Sequence, residues 1–132
     1  MQRIMLKSKI HRAKITDANL YYDGSFTIDE EILEIANILP YERVSVVNIN
    51  NGERFDTYVI PGNRGKREFC LNGAAARKGA IGDEVIVISY SVYDEEELAH
   101  YKPLVVILDQ NNNVVEITDK TEPNKLVRKD SR

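Results

Sequence analysis

Cysteine and histidine are scarce in this chain of 132 residues, and their scarcity excludes several kinds of site. Cys70 is the only cysteine, so the chain has no internal disulfide and no second thiolate for a metal. The two histidines, His11 and His100, are too few to make a strong case for another transition-metal site. We therefore expect no bound metal.

Long apolar runs and an excess of basic residues are also missing. The first seven residues lack the uninterrupted apolar stretch of a signal peptide, and no segment approaches the length of a membrane span. The formal net charge of -3 gives no general attraction to nucleic acid or to an anionic membrane. These absences predict a cytoplasmic protein that binds neither.

What is present is typical of one globular domain. Hydrophobic residues make up 42% of the chain and charged residues 30%, and no repeat or low-complexity tract interrupts it. We expect a single β-barrel domain over residues 1–118. From Asp119 the sequence is polar with little periodicity, so residues 119–132 are expected to form a loose tail.

Short segments with strand patterns dominate the domain. About six strands with one sizeable helix predict a mainly β fold, a small barrel. The helix is expected over Thr27–Leu39, with a capping box formed by Thr27 and Glu30. Asn51-Gly52 predicts a type I′ hairpin turn. The acidic residues at the helix start are best explained by the helix dipole and not by catalysis.

The dipeptide Gly24-Ser25 is the most informative chemical feature. A serine hydroxyl can attack the preceding carbonyl, and glycine neither hinders the attack nor resists the strained backbone that it requires. Elimination from the resulting ester splits the chain and leaves a pyruvoyl group in place of Ser25. By itself, however, Asp-Gly-Ser is more often a plain turn.

Three further groups of residues could bind or protonate a small acid. Asn72 begins a strand-to-helix turn whose backbone N–H groups suit a carboxylate, and we expect its side chain to cap that helix. Arg54 and Tyr58 share one strand face and offer a carboxylate fork and a proton. Lys9 and His11 share another polar face. Taken singly, each is more commonly a capped helix or a solvated strand face.

In order, these segments closely resemble the pyruvoyl-dependent aspartate 1-decarboxylases. The resemblance has no gaps up to about residue 90 and rests on the ranges 7–13, 22–25, 27–29, 51–58 and 71–77. The Gly82-Asp83 turn also resembles one found in double-psi β-barrels. The resemblance therefore implies a six-stranded double-psi β-barrel with short helices.

The same resemblance implies an activity. The chain would cleave itself between Gly24 and Ser25 into chains 1–24 and 25–132, and Ser25 would become a covalent pyruvoyl cofactor. This group would form a Schiff base with L-aspartate and release CO2 and β-alanine for pantothenate synthesis. The implied assembly is a homotetramer with active sites between subunits.

Residue roles also follow from the resemblance. Ser25 would be the Schiff-base electrophile, Tyr58 the proton donor, and Thr57 a substrate contact that also assists cleavage. The remaining implied residues bind substrate or shape the site: Gly73, Ala74, Ala75, Arg54, Lys9 and Asn72. The sequence leaves open which of Lys9 and Arg54 binds which carboxylate. Tyr21 departs from the family, where histidine is frequent.

Two other functions remain as alternatives. The first is a non-catalytic β-barrel binding module, in which Gly24-Ser25 is only a turn and the helix end at Asn72 binds a small anion. The second is a DNA-binding barrel, against which the net charge of -3 and the lack of a basic stripe argue. Cleavage of the peptide bond between Gly24 and Ser25 would distinguish the decarboxylase from both alternatives.

Overall fold

Strands predominate over very short helices in residues 1–119, the part of the chain that the computed structural model describes. The nine strands are β1 (Arg3–Lys14), β2 (Asp17–Asn19), β3 (Ser25–Asp29), β4 (Arg43–Asn48), β5 (Arg54–Gly62), β6 (Phe69–Asn72), β7 (Glu84–Tyr93), β8 (Leu104–Leu108) and β9 (Val114–Thr118). The helices are α1 (Glu30–Ile35), α2 (Glu95–Leu98) and a 3₁₀ helix (Gly73–Lys78). The expected tail lies, apart from Asp119, outside the described residues.

The sheet closes into a ring through the junction of β1 and β2. The strand order is β2-β6-β3-β5-β4-β7-β1-β8-β9, and only Ile15 and Thr16 separate β1 from β2. Ile15 N donates to Asp83 O, and Thr16 N donates to Phe69 O, both at 2.9 Å. If β1 and β2 count as one strand, the ring has six strands, and β8 and β9 extend it beyond β1. The mainly β barrel class is confirmed.

The interior of the ring is filled by one face of each strand. Every ring strand contributes a side chain with no exposed surface: Ile10, Phe26, Val46, Val59, Leu71 and Val87. Because side chains alternate along a strand, their neighbours point outward. The aromatic rings of Phe26 and Phe69 pack edge to face with centroids 6.0 Å apart. The barrel therefore has a packed core and a separate outward face.

The predicted helix boundaries are wrong at both ends. Residues 25–29 are strand, because Phe26 and Thr27 pair with β5 on one side and β6 on the other. Helix α1 therefore begins only at Glu30, and the Thr27–Glu30 capping box does not form. At the other end Asn37 takes a φ of 56°, and the helix stops after six residues. Sheet pairing overrides the local helix signal here.

The expected type I′ turn is also wrong. The β4–β5 connection is a five-residue loop, residues 49–53, in which Asn48 N donates to Glu53 O at 2.8 Å. A type I′ turn needs positive φ at both central residues, but only Gly52 (φ 77°) has it, and Asn51 does not. The Asn48 side chain accepts from Asn50 N at 2.8 Å and supports the longer loop.

Asp29 fixes the start of α1 to the loop that follows β5. Its fully buried carboxylate accepts hydrogen bonds from Glu31 N (2.8 Å), Gly65 N (3.0 Å) and Arg67 N (2.6 Å). Burial raises the pKa of Asp29, but these bonds and the Arg67 charge outweigh burial and hold the pKa below its ordinary value. Asp29 therefore stabilises the fold fully above its unfolded-state pKa, and this contribution is lost as the pH falls through the folded-state pKa.

We expect Asp29→Asn to lower the free energy of unfolding by about 2–4 kcal/mol at pH 7, because one acceptor oxygen and the charge are lost. Glu30→Gln, a change on an exposed neighbour, should cost no more than about 0.5 kcal/mol. Urea unfolding at a series of pH values checks this. The difference in the free energy of unfolding between wild type and Asp29→Asn should become smaller below about pH 4. A difference that stays constant down to strongly acid pH would show that the ionised Asp29 carboxylate does not stabilise the fold.

Two negative findings apply to residues 1–119. None of their helices has the length and apolarity needed to cross a membrane. Their His, Cys, Asp and Glu side chains form no group of three or more that could hold a metal ion.

Candidate active site

The hydroxyl of Ser25 is buried where β3 and β6 meet. Ser25 begins β3 and pairs with Asn72, the last residue of β6, and each is 2% exposed. Ser25 Oγ accepts from Asn72 Nδ2 at 2.9 Å and donates to Asp23 O at 3.2 Å. The hydroxyl is therefore held against the segment that contains the Gly24 carbonyl.

Asn72 organises the polar groups around Ser25. Its Nδ2 also donates to Thr27 Oγ1 at 2.8 Å, and its Oδ1 accepts from Cys70 Sγ at 3.2 Å. Burial, with a smaller effect of nearby carboxylates, raises the pKa of the Cys70 thiol, which keeps the thiol protonated as a donor. The expected capping role of the Asn72 side chain is wrong, because it makes no cap hydrogen bond and turns to Ser25.

Gly73 packs directly against the proposed cleavage segment. Its φ is 65°, and a Cβ at this position would lie 2.7 Å from both Gly24 N and Tyr22 O. Only glycine fits this backbone conformation at such a close approach. Gly24 itself is unstrained: its φ is outside the left-handed region, and an added Cβ would meet nothing within 4 Å. The expected backbone strain at Gly24 is therefore absent from this conformation.

A pocket of about 250 Å³ opens beside Gly24. Its lining residues come from the proposed cleavage segment, β5 and the 3₁₀ helix: Gly24, Phe55, Asp56, Thr57, Ala74, Ala75 and Lys78. The side chains of Ala74 and Ala75 are small, so a ligand can approach the backbone of the 3₁₀ helix. Thr57, Ala74 and Ala75 are thus brought to Gly24, as the sequence predicts.

Sequence reasoning missed Lys78. Lys78 Nζ lies 2.8 Å from Glu53 Oε1, and the Lys78 carbonyl accepts from Asn48 Nδ2 (3.1 Å) and Asn51 Nδ2 (3.0 Å). These three partners lie in β4 or in the loop that follows it. No local pattern in the sequence shows that the end of the 3₁₀ helix returns to this loop.

Arg54 and Tyr58 share a strand face, as predicted, but it is the face opposite Thr57. Thr57 is half-buried and lines the pocket, whereas Arg54 and Tyr58 are exposed and do not. The Tyr58 ring stacks on Tyr41, with centroids 6.1 Å apart and planes at 27°. Within one chain, these two side chains are not brought to Ser25.

Lys9 is more distant from the pocket. Lys9 pairs with Ile88, Ile88 pairs with Ser45, and Ser45 pairs with Asp56 at the pocket. Lys9 and Asp56 are therefore three strand spacings apart, or about 14 Å. Burial lowers the pKa of Lys9. Asp56, at the other end of this row, bonds Ser45 Oγ at 2.7 Å and Arg43 at 2.6 Å, and these bonds lower its pKa.

The geometry therefore supports two chemical events. A buried and oriented serine hydroxyl follows a glycine, which suits attack on the chain's own carbonyl. A small pocket lies beside that glycine and is lined by one lysine and one aspartate, which suits binding of a small polar molecule.

Comparison with known proteins agrees with this chemistry. The sequence model of the aspartate decarboxylase family matches residues 1–115. Proteins named aspartate 1-decarboxylase are similar throughout: 60% identity in Wolinella succinogenes (86% of this chain, 93% of that protein) and 59% in Thermoanaerobacter pseudethanolicus (87% and 98%). A third, from Aliarcobacter butzleri, is 55% identical over 93% of this chain and 97% of its own. The chain belongs to the aspartate decarboxylase family.

Proposed function

We propose that this protein is a self-processing aspartate 1-decarboxylase, which converts L-aspartate to β-alanine and CO2 in the cytoplasm for pantothenate synthesis. The observation that carries the proposal is the buried Ser25 hydroxyl, fixed by Asn72 beside a pocket that contains Gly24. Family membership and the name shared by its relatives support the substrate.

Processing begins with attack of Ser25 Oγ on the Gly24 carbonyl carbon. The C–N bond breaks, the hydroxyl proton passes to the released amine, and an ester joins the two residues. Elimination then removes the Cα proton of residue 25 and breaks its Cβ–Oγ bond, which leaves a carboxylate on Gly24 and a dehydroalanine at position 25. The methylene carbon of this dehydroalanine takes up a proton to give an imine, and water hydrolyses the imine to ammonia and the pyruvoyl group. Thr57 lines the pocket with Gly24 and is proposed to assist the attack.

The surroundings of Ser25 fit a pyruvoyl group. Asn72 Nδ2, which now donates to Ser25 Oγ, can donate to a ketone oxygen at this position. The group supplies an electrophilic carbonyl for the substrate amine and an acceptor for the electron pair left by CO2. Gly73, Ala74 and Ala75 are proposed to contact the substrate through their backbone, because their side chains leave it accessible.

We further propose that a second copy of the chain completes the site, within a homotetramer. Lys9, Arg54 and Tyr58 do not line the pocket beside Gly24 of their own chain, so a neighbouring subunit would bring them to a Ser25 pocket. Exposed apolar side chains of β1 and β7 support contact between copies: Ile4 (74% exposed), Tyr90 (48%) and Val92 (52%). In the assembled site Tyr58 donates a proton to the former α-carbon, and Lys9 and Arg54 bind carboxylates.

We expect Tyr58→Phe to process normally but to lower kcat by at least about 100-fold, because a proton donor is lost. Tyr41→Phe, a matched change in the stacked ring, should leave kcat unaltered. Co-expression of Tyr58→Phe with Ser25→Ala should restore part of the activity, since mixed oligomers pair a processed Ser25 with an intact Tyr58. Mixed oligomers no more active than Tyr58→Phe alone would show that both residues act within one chain.

The activity itself is tested with purified protein and L-aspartate. We expect β-alanine and CO2 in equal amounts, only from preparations that contain cleaved chain. Cleaved protein that leaves L-aspartate unchanged would contradict the proposed function.

A further inference from the structure

Tyr41 combines an unfavourable backbone conformation with a ring that contacts Tyr58. Its φ is 71°, in the left-handed region that a bulky aromatic residue rarely adopts. Tyr41 is 76% exposed in the single chain, so burial of its ring in the core does not explain this conformation. Backbone strain of this kind persists only where the surrounding structure imposes it, and it is concentrated at functional sites.

The carboxylate of Glu42 ties the strained segment to two other strands. Its Oε2 accepts hydrogen bonds from Lys7 Nζ in β1, at 2.8 Å, and from Ser89 Oγ in β7. Its Oε1 accepts from Leu39 N at 3.1 Å, which closes the segment on itself. The residue next to Tyr41 is therefore fixed by three side-chain hydrogen bonds.

Backbone hydrogen bonds hold Tyr41 against β5. Tyr41 N donates to Val59 O at 2.8 Å, and Val59 N donates to Glu42 O at 3.1 Å. Val59 directly follows Tyr58, so these bonds keep the two tyrosines side by side. Together with the bonds of Glu42, they impose the positive φ of Tyr41 and set its ring on that of Tyr58.

The Tyr58 side chain has few other contacts to orient it. Tyr58 is 37% exposed, and its hydroxyl has no hydrogen-bond partner among residues 1–119. Its cross-strand neighbour Arg43 binds Asp56 instead, at 2.6 Å. The stack on Tyr41, with centroids 6.1 Å apart and planes at 27°, has the geometry of an offset aromatic pair. Without this stack, the Tyr58 ring is free to occupy other rotamers.

We propose that Tyr41 is a positioning residue, which holds the Tyr58 phenol in the orientation from which it donates its proton. This inference rests on the proposed function, in which Tyr58 is the proton donor. Both rings belong to one chain, so the pair enters a neighbouring subunit's site together. A donor acts only within hydrogen-bond reach of the atom that it protonates, so a phenol spread over several rotamers donates less often. Tyr41 does not touch the substrate, and its ring therefore affects kcat and not KM.

Kinetics of the processed enzyme give the first test. We expect Tyr41→Leu, which removes the ring, to lower kcat for L-aspartate by about three- to tenfold, the factor that corresponds to the energy of an aromatic pair. KM should stay within about twofold of the wild-type value. Tyr41→Phe keeps the ring and should keep the wild-type kcat. A wild-type kcat in Tyr41→Leu overturns the proposal.

A double-mutant cycle shows whether the ring acts through Tyr58. When Tyr58→Phe has removed the phenolic proton, the Tyr41 ring has no donor left to position. Adding Tyr41→Leu to Tyr58→Phe should therefore cause no further loss of kcat. A further loss as large as that in the wild-type background would show that Tyr41 acts independently of Tyr58, and would overturn the proposal.

Tyr41→Gly separates positioning from stability. Glycine adopts a positive φ without strain, so Tyr41→Gly should unfold at a higher urea concentration than Tyr41→Leu. Both variants lack the ring, and we expect kcat in Tyr41→Gly to be at least as low as in Tyr41→Leu. A kcat that recovers together with stability would show that strain, and not the missing ring, limits the activity of Tyr41→Leu, and this too would overturn the proposal.

Nuclear magnetic resonance of uncleaved protein tests the ring contact without catalysis. In Ser25→Ala with ¹³C-labelled tyrosine rings, the Tyr58 signal is identified by its loss when Tyr58→Phe is added. Because the stacked Tyr58 ring lies in the ring current of Tyr41, adding Tyr41→Leu should move this signal toward its position in an unfolded peptide, whereas Tyr41→Phe should not move it.

This measurement separates the possible failures. Wild-type protein without decarboxylase activity, but with a Tyr58 signal that depends on the Tyr41 ring, would count against the proposed function alone. A Tyr58 signal that is the same with and without the Tyr41 ring would overturn the role of Tyr41, whatever the activity of the wild type.

Discussion

Replacing Ser25 by alanine is expected to leave one uncleaved chain and no detectable β-alanine. The variant lacks the oxygen that attacks Gly24, so neither the ester nor the pyruvoyl group can form. Ser25 is 2% exposed and loses only the bonds to Asn72 and Asp23, so the barrel should still fold. Denaturing electrophoresis and amino-acid analysis of the reaction mixture check both parts.

Ser8→Ala is the matched control. Ser8 is a serine of the core with no exposed surface, and its hydroxyl makes no hydrogen bond among the described residues. Removing the Ser8 hydroxyl therefore takes away a buried oxygen and breaks no hydrogen bond at the site. We expect normal cleavage and turnover. Activity in Ser25→Ala equal to that of Ser8→Ala would remove Ser25 from the mechanism.

Replacing Gly73 by alanine should slow cleavage by at least about 100-fold, because a displacement of reacting groups of the order of 1 Å has an effect of this size. The new Cβ would lie 2.7 Å from backbone atoms of Tyr22 and Gly24, so the proposed cleavage segment must move. The positive φ adds about 1 kcal/mol of destabilisation. The rate is measured by following the appearance of the two fragments in freshly purified precursor.

Gly52→Ala separates backbone strain from displacement of the segment. Gly52 has a similar φ of 77°, but an added Cβ there meets nothing within 4 Å. The control should therefore lose a comparable amount of stability and cleave at the wild-type rate. Equal cleavage rates in the two variants would show that the close contact of Gly73 with Gly24 does not matter for processing.

Local sequence patterns were sufficient for part of the fold and part of the site. Strand alternation predicted the β class and placed Arg54 and Tyr58 on one face. The patterns failed where a distant partner decides the conformation. Thr27 looks like a helix cap, but β5 and β6 hold it in a strand. Asn72 looks like another cap, but Ser25 and Thr27 take its amide.

The site could be predicted only as far as its residues are close in sequence or match the family resemblance. Gly24, Thr57 and Ala74 gather at one pocket, as expected. Lys78 lies at the same pocket, where Asn48 and Asn51 hold its backbone carbonyl. The helical and strand periodicities of the sequence do not predict this contact. The position of Lys9, three strands away, depends on the closure of the barrel.

The intact mass of the purified protein under denaturing conditions is the decisive measurement of self-cleavage. We expect two species, a fragment of residues 1–24 with a free carboxylate on Gly24 and a fragment of residues 25–132. The second should carry a pyruvoyl group in place of Ser25, resist N-terminal sequencing and react with phenylhydrazine. A chain that stays intact over all 132 residues and still forms β-alanine would show that self-cleavage is not part of the mechanism.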